Sequence, residues 1–313
     1  MFYLIIFISL LVLELIYFRI AHKFGIVDKP NERSSHKVVT MRGGGIIFYL
    51  GALLFFLTSG MQYPWFFAGL TLISLLSFVD DIHSLPPRLR LVLQFVAMLV
   101  MFQQLHLFTL DTWWVIIVAL IICTGAVDVY NFMDGINGIT GGYSLVVVAA
   151  LAYVNYYDEF VNPDLLRIIA LALIVFCLFN FRRHARCFAG DIGSVSIAFI
   201  IIFILGLQML KTNDFSWLTF LVVYGVDGCL TIIHRLMLHE NITHPHRKHA
   251  FQIMANELKI PHVVVSLIYM FIQAIMCIWY IEMPGYITLF LSIALLSIAY
   301  VIFMKKYYHL HKG

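Results

Sequence analysis

A chain of 313 residues that is 62% apolar and only 12% charged does not fit a soluble domain, where about a quarter of residues carry charge. Twenty Lys and Arg against 17 Asp and Glu leave a formal charge of +3, which gives no ground for a nucleic-acid partner. The sequence reads as an all-α polytopic membrane protein, with residues 1–313 forming a single integral-membrane domain.

Apolar runs long enough to cross roughly 30 Å of hydrocarbon as helices fall at 2–21, 44–60, 64–79, 91–107, 112–127, 138–154, 165–181, 192–210, 215–233, 261–281 and 286–304. They predict about 11 transmembrane helices, with mid-span positions almost free of charge apart from Glu14. The first run lacks a basic leader and a small-residue cleavage site, so a retained helix is expected rather than a signal peptide. The third and fifth runs are the shortest and are expected to extend into the polar islands that follow them. Sorted by side, 18 Lys and Arg fall together, while only Arg167 and Lys211 fall opposite. Because basic residues near span ends stay cytoplasmic, the expected orientation is N-terminus outside and C-terminus cytoplasmic. Cys123, Cys177, Cys229 and Cys277 sit in apolar runs and Cys187 in a loop, without paired spacing, which argues against a disulfide framework or a thiolate metal site.

Five polar segments share the predicted cytoplasmic side. The first runs from Asp28 through Arg33, His36, Lys37 and Arg42 to Gly43-Gly44-Gly45. Three glycines at a helix start offer free N–H groups to an anion or allow tight helix packing, and the basic residues suit phosphate or simple positive-inside retention. The second is Asp80-Asp81, adjacent acids at a membrane boundary. They serve either one site at a helix end, as metal ligand and base, or as a capping pair with Arg88 or Arg90. In the third, Asp128 to Gly142, Asn131, Asp134 and Asn137 are spaced three apart, so a helical turn would align them, while four glycines relax that helix. The fourth, Gly190-Asp191-Ile192-Gly193-Ser194, opens a span. Asp191 there is either a helix cap or an acid that holds a cation beside phosphates, following Arg182, Arg183 and Arg186. The fifth holds His244, His246, Arg247, Lys248 and His249. No Glu lies between these histidines and their spacing is not that of helical zinc proteases. Interleaved Arg and Lys attract anions, so a diphosphate is preferred to a metal. Carboxylates and histidines gathered at one membrane face point to metal-assisted chemistry on a phosphate.

In order and content these five segments, from Asp28 to about Gln252, resemble the polyprenyl-phosphate N-acetylhexosamine-1-phosphate transferase family. The resemblance implies a phosphoglycosyl transferase that takes a nucleotide-diphosphate sugar and a polyprenyl (undecaprenyl) phosphate, depends on Mg²⁺ with Mn²⁺ as the alternative, and releases UMP. It implies Asp191 as metal ligand in Phe188-Ala189-Gly190-Asp191-Ile192-Gly193-Ser194, and Asp80 and Asp81 as the paired acids, Asp80 also as a metal ligand. Asn131 and Asp134 fall in the Asn-x-x-Asp-Gly motif, and His246 and His249 in the late histidine motif. The expected catalytic set is therefore Asp80, Asp81 and Asp134. The expected substrate-binding set is Arg33, His36, Arg42, Asn131, Asn137, His246, Arg247 and His249. Many family members have Asn at the position of Asp128 and Asp at that of Asn137, which leaves the local carboxylate count unchanged. The compact segment from Arg247 to Gln252 is closer to enzymes that initiate surface polysaccharides (O-antigen, capsule or other envelope glycan) than to the muramoyl-pentapeptide branch. An inner-membrane location with a cytoplasm-facing site and a homodimer are further expectations. A secondary transporter using the same acids as an ion site is the alternative.

Overall fold

The computed structural model describes residues 1–28, 39–109, 113–241 and 246–310. Arg33, His36 and His244 lie outside the described residues. In chain order the helices are α1 (Phe2–Phe24), α2 (Ile46–Thr58), α3 (Pro64–Ile82), α4 (Pro87–Gln104), α5 (Trp113–Met133), α6 (Ile139–Asp158), α7 (Pro163–Asn180), α8 (Gly190–Thr212), α9 (Val222–Met237), α10 (Ala250–Asn256), α11 (His262–Glu282) and α12 (Tyr286–Tyr307). A 3₁₀ segment, Phe215–Leu221, leads into α9. Proline opens α3, α4 and α7, where the first turn needs no N–H from it.

All eleven apolar runs are helical, but among the described residues nine segments are long and apolar enough to cross a membrane. The other two fall short of that measure for different reasons. Helix α2 has 13 residues, about 20 Å at 1.5 Å per residue, short of the hydrocarbon thickness. Helix α4 begins at Pro87 and takes in Arg88, Arg90 and three glutamines, which dilute the apolar run that starts at Leu91. As expected, α3 and α5 run on into polar islands, so Asp80, Asp81 and Asp128 lie on their last turns.

Helix α8 forms the axis of the bundle and is buried without interruption from Ile192 to Leu205, the pattern of a helix apolar all round. Helices α2, α3, α5 and α6 pack around it. At the α2 crossing the backbones touch: a Cβ on Gly45 would stand 2.2 Å from the Gly193 Cα. The bland reading of the Gly43 to Gly45 run, tight packing, therefore holds at Gly45. Two short strands, β1 (Val27–Asp28) and β2 (Thr40–Met41), pair antiparallel. The chain then zips along 187–189, with Phe188 donating to the Met41 carbonyl at 2.8 Å and Gly45 to that of Ala189 at 3.0 Å.

Side-chain contacts separate two ends of the bundle. One end carries Tyr3 bonded to Asp164 at 2.7 Å and Gln208 bonded to Asp158 at 2.5 Å. The other end gathers residues 40–45, 80–85, 128–138, 180–194 and 246–252.

Candidate active site

Arg42 and Asp81 form the centre of that second end. The Arg42 Nε lies 2.7 Å from Asp81 Oδ1, and its terminal nitrogen lies 3.5 Å from Asp191 Oδ1. Burial alone would lower the Arg42 pKa, but the carboxylates of Asp81, Asp191 and Asp28 outweigh it and hold the guanidinium charged. Asp81 also accepts the backbone N–H groups of Asp191 and Ile192, both at 3.0 Å. It is thus Asp81, reaching over from α3, that satisfies the first turn of α8, an anion at a helix N-terminus. The N-cap position of α8 is Ala189, whose side chain cannot cap, and among the described residues the Asp191 carboxyl is met by Arg42 rather than by the helix N–H groups, so the capping reading of Asp191 gives way to one in which its carboxyl faces the site. Gly190 sits in the left-handed region at φ 72°, and a Cβ there would stand 2.6 Å from Asp81 Oδ2. Only glycine fits between the two acids.

Asp80 points differently from its neighbour. One oxygen accepts the Leu85 N–H at 2.6 Å and the other pairs with Arg90 at 2.9 Å. This capping arrangement with Arg90 was one of the two sequence readings. The Asp80 and Asp191 carboxyls are electrostatic neighbours, and neighbouring carboxyls repel unless a proton or a cation lies between them. Asp128 joins this side through Gln94, whose amide donates at 3.3 Å.

The helical alignment of Asn131, Asp134 and Asn137 is not observed, because α5 ends at Met133 and residues 134–138 form a turn closed by left-handed Gly138. Asn131 accepts the Ser194 hydroxyl at 2.8 Å, locking α5 to α8. Asn137 is buried, and its amide donates to the carbonyls of Arg182 at 2.9 Å and Arg183 at 3.3 Å. Its donors are consumed inside the protein, which gives it the task of fixing the turn. Asp134 has only the Thr140 hydroxyl and the more distant Arg42 charge to favour its carboxylate among the described residues. Burial, reinforced by the Asp81 charge, pushes its pKa up to about 6. A folded-state pKa above the unfolded value means stability is lost as pH rises from about 4 through about 6, while the carboxylate form prevails only above that window. Activity that uses the carboxylate is therefore expected to fall on acidification through about pH 6. A pH–rate profile flat from pH 5 to 8 would remove Asp134 from the chemistry.

The histidine loop closes over the Asp134 turn. Phe251 lies against Gly135, where a Cβ would come within 3.0 Å of the ring, and His246 faces Phe132 at 6.4 Å. Burial lowers the His246 pKa to about 3, so this imidazole is neutral at physiological pH. Lys248 pairs with Glu240, which also holds Arg235 at 3.2 Å, so Lys248 braces the loop. Among the described residues the Arg247 side chain, like those of Arg183 and Arg186, makes no hydrogen bond or ion pair, so it is one of the cations at this end available to an anionic ligand. His249 is buried with Nδ1 3.3 Å from Asp227 Oδ1, and its Nε2 has no partner among the described residues.

Asp227 corrects the expectation of nearly charge-free span interiors. It lies within α9 and is only 3% exposed. Its flanks, Gly225 and Gly228, already broke the apolar run and were the signal for it. Arg90, the partner of Asp80, was weighed in the sequence only as a cap. Among the described residues no three His, Cys, Asp or Glu side chains form a ready cation cage. Mg²⁺ does not need one, since it is usually held by one or two carboxylates plus substrate phosphates and water. The facing pair Asp80 and Asp191 fits that donor set.

Residues 63–208 match the model of glycosyl transferase family 4, a stretch that holds Asp80, Asp81, Asn131, Asp134, Asn137 and Asp191. The undecaprenyl-phosphate alpha-N-acetylglucosaminyl 1-phosphate transferase of Yersinia pestis is 30% identical over 214 residues, 62% of this chain and 58% of that protein. The protein of the same name from Escherichia coli K12 is 28% identical over 254 residues, 74% of this chain and 69% of that protein. The chain thus spans less than two thirds of the Yersinia protein's length. These matches bear out the resemblance to phosphoglycosyl transferases carried by the motifs, and they give no support to the secondary-transporter alternative.

Proposed function

We propose that this chain, whose residues 63–208 match the model of glycosyl transferase family 4, transfers an N-acetylhexosamine 1-phosphate from a UDP-sugar to undecaprenyl phosphate. The reaction would take place at the cytoplasmic face of the inner membrane, release UMP and start a cell-surface glycan. The observation that carries this reading is the convergence of Asp80, Asp191, Asp134 and Arg42 at one end of a membrane-helix bundle, under a loop that offers Arg247. A polyprenyl acceptor dissolves only in the bilayer and a nucleotide sugar only in water, so a reaction between them belongs at such an end. The 18-to-2 division of basic residues supports a cytoplasmic position for that end, with the N-terminus outside and the C-terminus inside.

In this reading an oxygen of the acceptor phosphate bonds to the β-phosphorus of the donor as the bond from that phosphorus to UMP breaks. Asp80 and Asp191 would hold Mg²⁺, which would supply neutralising charge to the diphosphate and the departing UMP. Arg42 and Arg247 add fixed positive charge around the phosphates at no reorganisation cost. Asp134, with its pKa near the operating pH, takes the acceptor's proton where one remains. All three strong donors around Asp81 are already in place, so Asp81 holds the frame.

Purified protein mixed with radiolabelled UDP-N-acetylglucosamine, undecaprenyl phosphate and Mg²⁺ should yield lipid-linked label. Label confined to vesicle lumen with no lipid product would favour transport instead. Arg247→Ala should lower kcat/KM for the donor by about 10-fold or more, the scale of a lost charge-assisted hydrogen bond, and leave KM for the lipid acceptor nearly unchanged. Equal effects on both substrates would remove Arg247 from the donor site.

A further inference from the structure

Asp227 and His249 form a buried pair that the proposed chemistry does not yet use. The Asp227 carboxylate is surrounded by donors: Nδ1 of His249 at 3.3 Å, the Ala250 N–H at 3.2 Å, the Thr231 hydroxyl at 3.2 Å and the Tyr269 hydroxyl at 2.5 Å. An ionised carboxylate only accepts, so the imidazole nitrogen facing it must carry a proton. The Gln252 N–H reaches the same side chain from the first turn of α10, and as the partner of Nδ1 it would demand the opposite tautomer. That N–H already donates to the His249 carbonyl at 3.0 Å, and a charged acceptor is the stronger claimant.

The second observation is what the other nitrogen lacks. Nε2 is buried with no partner among the described residues, an arrangement that costs about 1–3 kcal/mol when nothing fills it. The ring stands 4.9 Å from His246 and stacks 5.7 Å from Phe251, which also packs against Tyr269 and against Gly135, next to Asp134. The unfilled nitrogen therefore belongs to the loop that covers the acids.

We propose that Asp227 is a positioning residue for His249, fixing the proton on Nδ1 and leaving Nε2 as the nitrogen that meets a substrate phosphate oxygen. Tyr269 from α11 and Thr231 from α9 hold the carboxylate in place for that task. The substrate half of this inference rests on the function proposed above. The tautomer half does not.

Two measurements on the full-length protein in nanodiscs test it. In ¹⁵N-histidine-labelled protein, the His249 resonances, identified by their loss in His249→Gln, should show Nδ1 protonated, and Asp227→Asn should change that pattern. An unprotonated Nδ1, or no change in Asp227→Asn, overturns the proposal, and this arm needs no turnover. In steady-state kinetics Asp227→Asn should lower donor kcat/KM by about 10- to 100-fold, the range for removing a group that orients a functional histidine. The double variant Asp227→Asn with His249→Gln should be no slower than His249→Gln alone. Losses that multiply would mean Asp227 acts independently of His249 and would overturn it. If Asp227→Asn does not fold, Tyr269→Phe enters the same cycle, with a smaller loss that must likewise vanish in the His249→Gln background. Wild-type protein that makes no lipid-linked product would sink the proposed function while leaving the tautomer result to stand or fall alone.

Discussion

Asp191→Asn is expected to lower turnover by at least about 100-fold while leaving the fold intact. The fold should survive because the helix start does not depend on this side chain: Asp81 satisfies the Asp191 and Ile192 N–H groups, and those bonds involve only backbone on the α8 side. The chemistry should fail because, in the proposed function, Asp191 and Asp80 would hold the dication, and removing one preorganised electrostatic stabiliser from an active site costs about 10²–10³ in kcat. Replacing a carboxylate by its amide keeps size and shape, so the loss reports charge. Turnover across an Mg²⁺ titration, read beside thermal unfolding of the same sample, decides it. Near-normal turnover at limiting Mg²⁺ would show that Asp191 is not a principal ligand.

Much of this site was legible in the sequence because its parts are polar islands in an apolar chain, where each acid stands out against its surroundings. Asp80, Asp81, Asp134 and Asp191 were found that way, and the structure brings them to one end. What the sequence did not reveal is the division of labour between neighbours. Asp80 and Asp81 are indistinguishable as letters, yet a helix turns about 100° between them, so one meets Arg90 and the other the start of α8. Asn137 reads like Asn131 but lies past the helix end, where its amide is consumed by backbone carbonyls. Asp227 escaped notice because a single acid in a long apolar run resembles an isolated exception, and its partner His249 is 22 residues away. The two helices that do not qualify as spans failed for a similar reason. Apolar runs mark where greasy residues lie, whereas helix ends follow caps and prolines such as Pro87.

The division between the paired acids gives the second large effect. Asp81→Ala is expected to destabilise the fold strongly, and Asp80→Asn to slow turnover with little change in unfolding temperature. The Asp81 carboxylate is fully buried and accepts from Arg42 at 2.7 Å and from two backbone N–H groups at 3.0 Å. Removing one partner of a buried charged pair typically costs about 3–5 kcal/mol. Arg42 is 37% exposed, so solvent screens part of its loss and the lower end of that range applies. The two helix N–H groups get no such relief, since they would be left unsatisfied beside Gly190, where the packing leaves little room for water. Asp80, by contrast, accepts a loop N–H and pairs with Arg90, whose side chain is 34% exposed, so solvent takes over part of that pairing when it is lost. Its amide variant keeps an acceptor for Leu85 and for Arg90 and loses the charge that faces Arg90 and Asp191. Unfolding temperature and turnover measured for both variants separate the roles. An Asp81→Ala protein that unfolds at the wild-type temperature but has lost turnover would place Asp81 in the chemistry and overturn its assignment as the pin of α8.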